Sequence, residues 1–156
     1  MNYYLFISSL QINRRKNKNE MMMKVAIIGS RSYTNSRKIK DFVFRLKEKY
    51  KEELEIVSGG QKDGSDGYAK KYALEFDIKY SEFPPQHYPH NMHCVRPNYD
   101  YGKPYYVSNY FKRNKQVAEY SDRVVAFVTN PNKITSGTLS TLQYAEKMNK
   151  KSIIID

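Results

Sequence analysis

From Lys24 onward, short β-branched runs alternate with stretches whose apolar residues recur at helical spacing. Lys24–Ile28 (KVAII) reads as a first strand that ends at Gly29. Ser36 caps a predicted helix reaching about Tyr50, with Ile39, Phe42, Val43 and Leu46 on one face. Leu54–Val57 predicts a second strand, Gly64–Glu75 a second helix and Ile78–Phe83 a third strand, stopped by Pro84-Pro85. Ser108–Tyr120 predicts a helix, Arg123–Val128 (RVVAFV) a buried strand, Thr138–Met148 a helix with Leu139, Leu142 and Ala145 inward, and Ser152–Ile155 a last strand. Strands this apolar are covered on both faces, and their alternation with helices implies parallel crossovers. The expected fold class is α/β: a three-layer sandwich around a mainly parallel sheet of about five strands.

Two stretches fall outside this alternation. Residues 1–23 show no clear period and read as a flexible N-terminal extension to a domain over 24–156. Met21-Met22-Met23 offers an alternative translation start, and the extension is expected to be dispensable. Residues 84–107 read as a long loop or lid, since loops of this length in a compact domain are usually functional. Its tyrosines, Tyr88, Tyr99, Tyr101, Tyr105 and Tyr106, suit stacking on a base or on one another. It also carries His87, His90, His93 and Cys94, zinc-type ligands in a row. Pro89 prevents a regular helix from aligning them, and structural zinc sites usually draw on two separated knuckles, so no metal is expected.

Charge narrows the partners. The chain of 156 residues carries a formal net charge of +11, and the four basic residues and one acid of residues 1–23 leave +8 for the rest. That balance favours phosphorylated or polyanionic partners, although a lysine-rich surface also keeps a tyrosine-rich protein in solution. The single cysteine rules out an internal disulfide framework and fits the cytoplasm. No apolar run is long enough for a membrane span, and the basic cluster follows the first apolar segment instead of preceding it, so no export signal is read. A homo-oligomer is compatible with this composition.

The candidate chemistry lies in three glycine-centred motifs: Gly29-Ser30-Arg31, Ser58-Gly59-Gly60 and Ser136-Gly137-Thr138. The first two follow predicted strands and the third opens a helix, where free backbone N–H groups and the helix dipole hold anions. The guanidinium of Arg31 can fork onto a phosphate or satisfy a loop carbonyl. Gly59 and Gly60 admit close backbone approach or serve a tight turn. Asp66 either holds a ribose hydroxyl or favours the dipole of its own helix. Arg113 and Asn114 sit in a predicted amphipathic helix, and Thr129 directly follows the RVVAFV strand. The spaced glycine triplet of dinucleotide sites, the P-loop and the Gly-x-Ser-x-Gly nucleophile turn are all missing, which argues against a dehydrogenase, kinase or α/β-hydrolase.

The motifs resemble those of the SLOG superfamily of Rossmann-like domains. Val25-Ala26-Ile27-Ile28-Gly29-Ser30-Arg31 is similar to its opening, Val57-Ser58-Gly59-Gly60 with Gly64-Ser65-Asp66 and Ala69 to its second signature, Arg113-Asn114 to its Arg-Asn pair, and Ser136-Gly137-Thr138 with Ala145 to its glycine-threonine helix start. The small size looks most like the YspA-type branch. The DprA family, which binds single-stranded DNA, shares comparable motifs, including a Tyr-Pro pair like Tyr88-Pro89 and a stretch like Ser136 to Thr141. The phosphoribohydrolases share the Gly-Thr turn, but Thr141 stands where they carry a catalytic glutamate. The resemblance implies a Rossmann-like fold and a ligand site of Gly29, Ser30, Arg31, Ser58, Gly59, Gly60, Asp66, Arg113, Asn114, Thr129, Ser136, Gly137 and Thr138, with no resident cofactor.

Two function classes follow. One is a protein that binds, senses, sequesters or processes a nucleotide or nucleotide-derived phosphorylated ligand. The other is a DprA-like module for single-stranded nucleic acid. Any reaction would be N-glycosidic hydrolysis or transfer, which calls for a carboxylate such as Asp66, Glu82 or Asp122. Arg31, Ser58-Gly59, Arg113 and Gly137-Thr138 are expected to converge on one anion site, because strand order reverses beside the first strand.

Overall fold

A computed structural model describes residues 6–7, 22–85 and 107–156. Its elements are β1 (Met23–Gly29), α1 (Ser36–Tyr50), a 3-10 turn (Lys51–Glu53), β2 (Leu54–Ser58), α2 (Gly64–Glu75), β3 (Lys79–Glu82), α3 (Ser108–Tyr120), β4 (Arg123–Phe127), α4 (Ser136–Lys147) and β5 (Lys151–Ile155). All strand pairs are parallel, in the order β3-β2-β1-β4-β5. The chain runs outward from β1 to β3, returns past it to β4, and runs outward again to β5. The reversal falls between β1 and β4, which pair from Val25 opposite Arg123 to Gly29 opposite Phe127.

Strand alternation divides the core. Val25 and Ile27 of β1 point to one face, with Ile39, Phe42, Val43 and Leu46 of α1 and Ala69 and Ala73 of α2. Ala26 and Ile28 point to the other, with Val117 and Ala118 of α3 and Leu142 and Ala145 of α4. Both faces of a parallel sheet are thereby removed from water, as the continuous apolar strands require.

Several boundaries shift from those predicted. The α1 cap is Asn35, not Ser36: its side chain accepts from the Lys38 amide at 3.2 Å. β3 is shorter than predicted because the Ile78 amide donates to the Ala73 carbonyl at 2.8 Å, closing the end of α2. α4 starts two residues early, at Ser136, since the Thr135 side chain accepts from the Thr138 amide. Met23 is the first residue of β1. Phe6 and Ile7, assigned by the sequence pattern to a mobile extension, are buried in the α1–α2 side of the core, and the Lys49 ammonium donates to the Ile7 carbonyl. Among the described residues, no helix is long and apolar enough to cross a membrane.

Candidate functional site

At the C-terminal ends of β1 and β4 a cleft of about 630 Å³ opens, in the range of small-molecule sites. Its floor is the turn after β1. Gly29 adopts φ +144°, and a Cβ there would stand 1.8 Å from the Phe127 carbonyl oxygen. That close approach lets the Ser30 amide donate to the same carbonyl at 3.1 Å, with the Ser65 hydroxyl donating to it at 2.8 Å. The turn is thus fastened to β4 and α2 together, and it presents Arg31 and Ser32 at the cleft. Ser32 and Thr129 hydroxyls meet at 3.3 Å, joining the loops after β1 and β4. Arg31 is exposed and makes no hydrogen bond or ion pair among the described residues.

The opposite wall is the start of α4. Ser136, Gly137 and Thr138 line the cleft, and the first amides of a helix have no partner within it. The Thr135 hydroxyl serves Thr138 at 3.5 Å, leaving Ser136 and Gly137 amides for a ligand or water. Nothing lies within 4 Å of where a Cβ on Gly137 would stand, so this corner is open.

The Arg113-Asn114 pair is largely occupied with the protein itself. Arg113 donates through Nη1 to the Gly59 carbonyl at 2.6 Å and through Nε to Asn114 Oδ1 at 2.9 Å, and its guanidinium lies 5.6 Å from the Tyr110 ring centre. A Cβ on Gly59 would stand 2.2 Å from Arg113 Nη1, which explains glycine there. Buried Asn114 donates through Nδ2 to the Gly137 carbonyl at 3.1 Å and the Ser140 hydroxyl at 2.8 Å. One helical dipeptide thus ties the loop after β2 and the start of α4 to the same helix. Both residues line the cleft, principally as positioning residues.

Asp66 organises the loop after β2. Its Oδ2 accepts from the Gly59 amide at 3.2 Å and the Gln61 amide at 3.4 Å. Burial pushes its carboxyl up to about 6, while the Arg113 charge and the two amide bonds pull the other way. A carboxyl raised above its unfolded value binds its proton preferentially in the folded state. Its contribution to stability is therefore greatest below about pH 4 and is lost as pH rises through about 6. Asp66→Asn is expected to remove a loss on the order of 2–3 kcal/mol between pH 4 and 7. Denaturant unfolding of both proteins across that range checks it; parallel profiles would contradict the assignment.

Not every predicted residue reaches the cleft. Ser58 faces the other way: its hydroxyl meets the Tyr80 hydroxyl at 2.5 Å and accepts from the Gly60 amide at 3.2 Å. Gly60 packs against Glu82, whose Cγ lies 2.6 Å from a would-be Cβ. Glu82 itself accepts from the Lys70 ammonium at 3.3 Å and the Tyr80 hydroxyl at 3.2 Å, behind the cleft. Asp122 lies at the strand-start end of the sheet, accepting from the Lys24 amide at 2.9 Å. Of these three acids Asp66 lines the cleft, and Thr141 lines it at the position where the phosphoribohydrolases carry glutamate. Conversely, sequence reasoning missed Gln61, Lys133, Tyr110 and Phe111, which also line it. For Tyr110, the spacing to Asn114 and Val117 on one helix face was the available signal. His87, His90, His93, Cys94 and the loop tyrosines lie outside the described residues.

No family model matches this chain, and no curated protein does. Solved structures do. The molybdenum cofactor binding protein of Rippkaea orientalis superposes with a TM-score of 0.60 at 19% identity, over 85% of this chain and 76% of that one. DNA processing protein A of Streptococcus pneumoniae gives 0.65 at 21% identity, over 86% of this chain and 50% of that one. The Helicobacter pylori protein of the same name, described for its single-stranded DNA binding mode, gives 0.61 at 24% identity, over 85% and 64%. The chain shares their Rossmann-like α/β fold. It spans half of the Streptococcus protein's length and about three quarters of the Rippkaea one's.

Proposed function

We propose that the cleft binds a nucleotide or nucleotide-derived phosphorylated ligand, so that the protein acts by sensing, sequestering or processing it. The phosphate sits between the Gly29–Arg31 turn, including Ser30, and the start of α4, with the ring of the ligand against Tyr110 and Phe111. The observation that carries this reading is the pairing, in one cleft, of the Arg31 guanidinium with the Ser136 and Gly137 amides, none of which has a partner among the described residues. Lys133 adds a second cation, and Thr129 a hydroxyl, from the β4 side. The motif resemblance to the SLOG superfamily, and to its small YspA-type branch, supports the same reading, as does the fold shared with a molybdenum cofactor binding protein. A cytoplasmic location fits the lone cysteine.

Arg31→Ala is expected to weaken binding of nucleoside monophosphates by about 1.5–3 kcal/mol, roughly ten- to 150-fold, through loss of a charged hydrogen bond. Its melting temperature should not move, because the side chain is exposed. Calorimetric titration reads the first effect and thermal unfolding the second; unchanged affinity would place the phosphate elsewhere.

The second reading, a single-stranded nucleic-acid module, is favoured by the net charge of +11 and by the fold shared with the Helicobacter protein. The cleft volume suits one small ligand better than a polynucleotide track. Salt separates the two: oligo-dT affinity should fall steeply with ionic strength, and mononucleotide affinity much less.

A further inference from the structure

We infer that the open edge of β5 is a self-association surface, where a second copy of this chain pairs its own β5 antiparallel and one sheet runs through a two-fold dimer. The inference stands apart from what the cleft holds. β5 is the outermost strand, beyond β4. The Val128 amide donates to the Ile155 carbonyl at 2.8 Å, so Ile155 and, by strand alternation, Ile153 and Lys151 turn their backbone groups toward β4. Those of Ser152 and Ile154 turn outward, where no described strand meets them.

Sheet edges are normally guarded by proline, a bulge or charges within the strand. β3, at the other edge, reads Lys-Tyr-Ser-Glu, with a charge at each end. β5 reads Lys-Ser-Ile-Ile-Ile, and its one charge is its first residue. Ile154 is 40% exposed there, and Leu139 of α4 is 43% exposed. Asn114 of α3 bonds the Ser140 hydroxyl, while Leu142 and Ala145 turn to the sheet, which leaves Leu139 on the flank of α4 above the β5 edge. Two large apolar side chains thus stand in water along one edge.

The edge suits a copy of itself. Residues 136–156, which build it, carry three lysines and two acids in a chain of net charge +11, so this surface offers little to a polyanion. A two-fold pair also needs a self-complementary register. Centred on Ile154, the pairing sets Ile154 opposite Ile154 with both backbone bonds exchanged, Ile153 opposite Ile155, and Ser152 opposite Asp156. Lys151 stays outside the paired segment. Because the strands are antiparallel, the two clefts open at opposite ends of the joined sheet.

Sedimentation velocity of the full chain tests this. The wild-type protein should sediment as a dimer at micromolar concentration. Ile154→Lys should weaken dimerisation about tenfold or more with an unchanged far-ultraviolet circular dichroism spectrum, since its side chain is already exposed. Leu74→Lys, at a 63% exposed position on α2, should dimerise as the wild type does. Oxidative cross-linking in a Cys94→Ser background reads the register. Ile154→Cys brings the paired Cα atoms to about 5.5 Å, within disulfide reach, and should give a covalent dimer. Ser152→Cys leaves them roughly 13 Å apart and should not. A wild type that stays monomeric, or that assembles into open aggregates, would overturn the inference. So would Ile154→Lys dimerising like the wild type, or equal cross-linking by Ile154→Cys and Ser152→Cys.

Discussion

Gly29→Ala is expected to cost on the order of 4 kcal/mol or more, the largest effect of any single substitution considered for this protein. The added methyl would stand 1.8 Å from the Phe127 carbonyl oxygen and 2.7 Å from the Ser65 hydroxyl, and the backbone at φ +144° disfavours any L side chain. Relief requires β1 and β4 to part at the point where the chain reverses direction, which breaks the Ser30–Phe127 and Ser65–Phe127 hydrogen bonds. Domains are stable by only about 5–15 kcal/mol, so the variant should be largely unfolded at modest denaturant concentration. Equilibrium unfolding in urea measures this directly. A variant within about 1 kcal/mol of wild type would mean that the β1 turn is not fastened as described.

Phe6→Ala should have the next largest effect, about 3–5 kcal/mol, in the range for truncating a buried phenylalanine. Phe6 is 1% exposed and belongs to the core cluster that includes Ile39, Phe42, Val43 and Leu46 of α1. Phe44→Ala is the matched control, since Phe44 is 46% exposed on the same helix and makes an edge-on contact with Phe76 at 5.7 Å. Thermal unfolding of the two variants side by side should show a large drop for Phe6→Ala and a small one for Phe44→Ala. Equal, small drops would return the N-terminal segment to the dispensable extension that its lack of pattern suggests.

The sheet was legible because its strands are short, apolar and separated by helical periods. Val25–Ile28, Ile56-Val57 and Val124–Phe127 carry no competing signal, and right-handed crossovers then leave few strand orders. The convergence of the loops after β1, β2 and β4 followed from that topology. What the sequence could not show are partnerships between distant residues. Glu55 interrupts an apolar strand, yet it is fully buried because the Tyr120 hydroxyl donates to it at 2.7 Å, Ser81 donates as well, and Lys79 lies 3.3 Å from its other oxygen. Burial opposes its ionisation, but these donors outweigh it and hold the carboxyl below the usual glutamate value. Arg113 likewise reads as a ligand contact from its motif, whereas its donors reach the Gly59 carbonyl, 54 positions away. Phe6 has no periodic neighbours to announce its burial, and Gln61 stands in a polar loop where nothing marks an amide as unpaired.

The central claim is that the β1 turn and the start of α4 hold one anion together. Amide chemical-shift mapping by NMR during a titration with a nucleoside monophosphate tests it most directly. The account predicts concerted, saturable shifts at Gly29–Ser32 and at Ser136–Thr138, with the same apparent affinity at both segments, and with both midpoints moved roughly ten- to 150-fold to higher ligand concentration in Arg31→Ala. Saturable shifts confined to one segment, or to the far end of the sheet around Asp122 and Lys24, would contradict it.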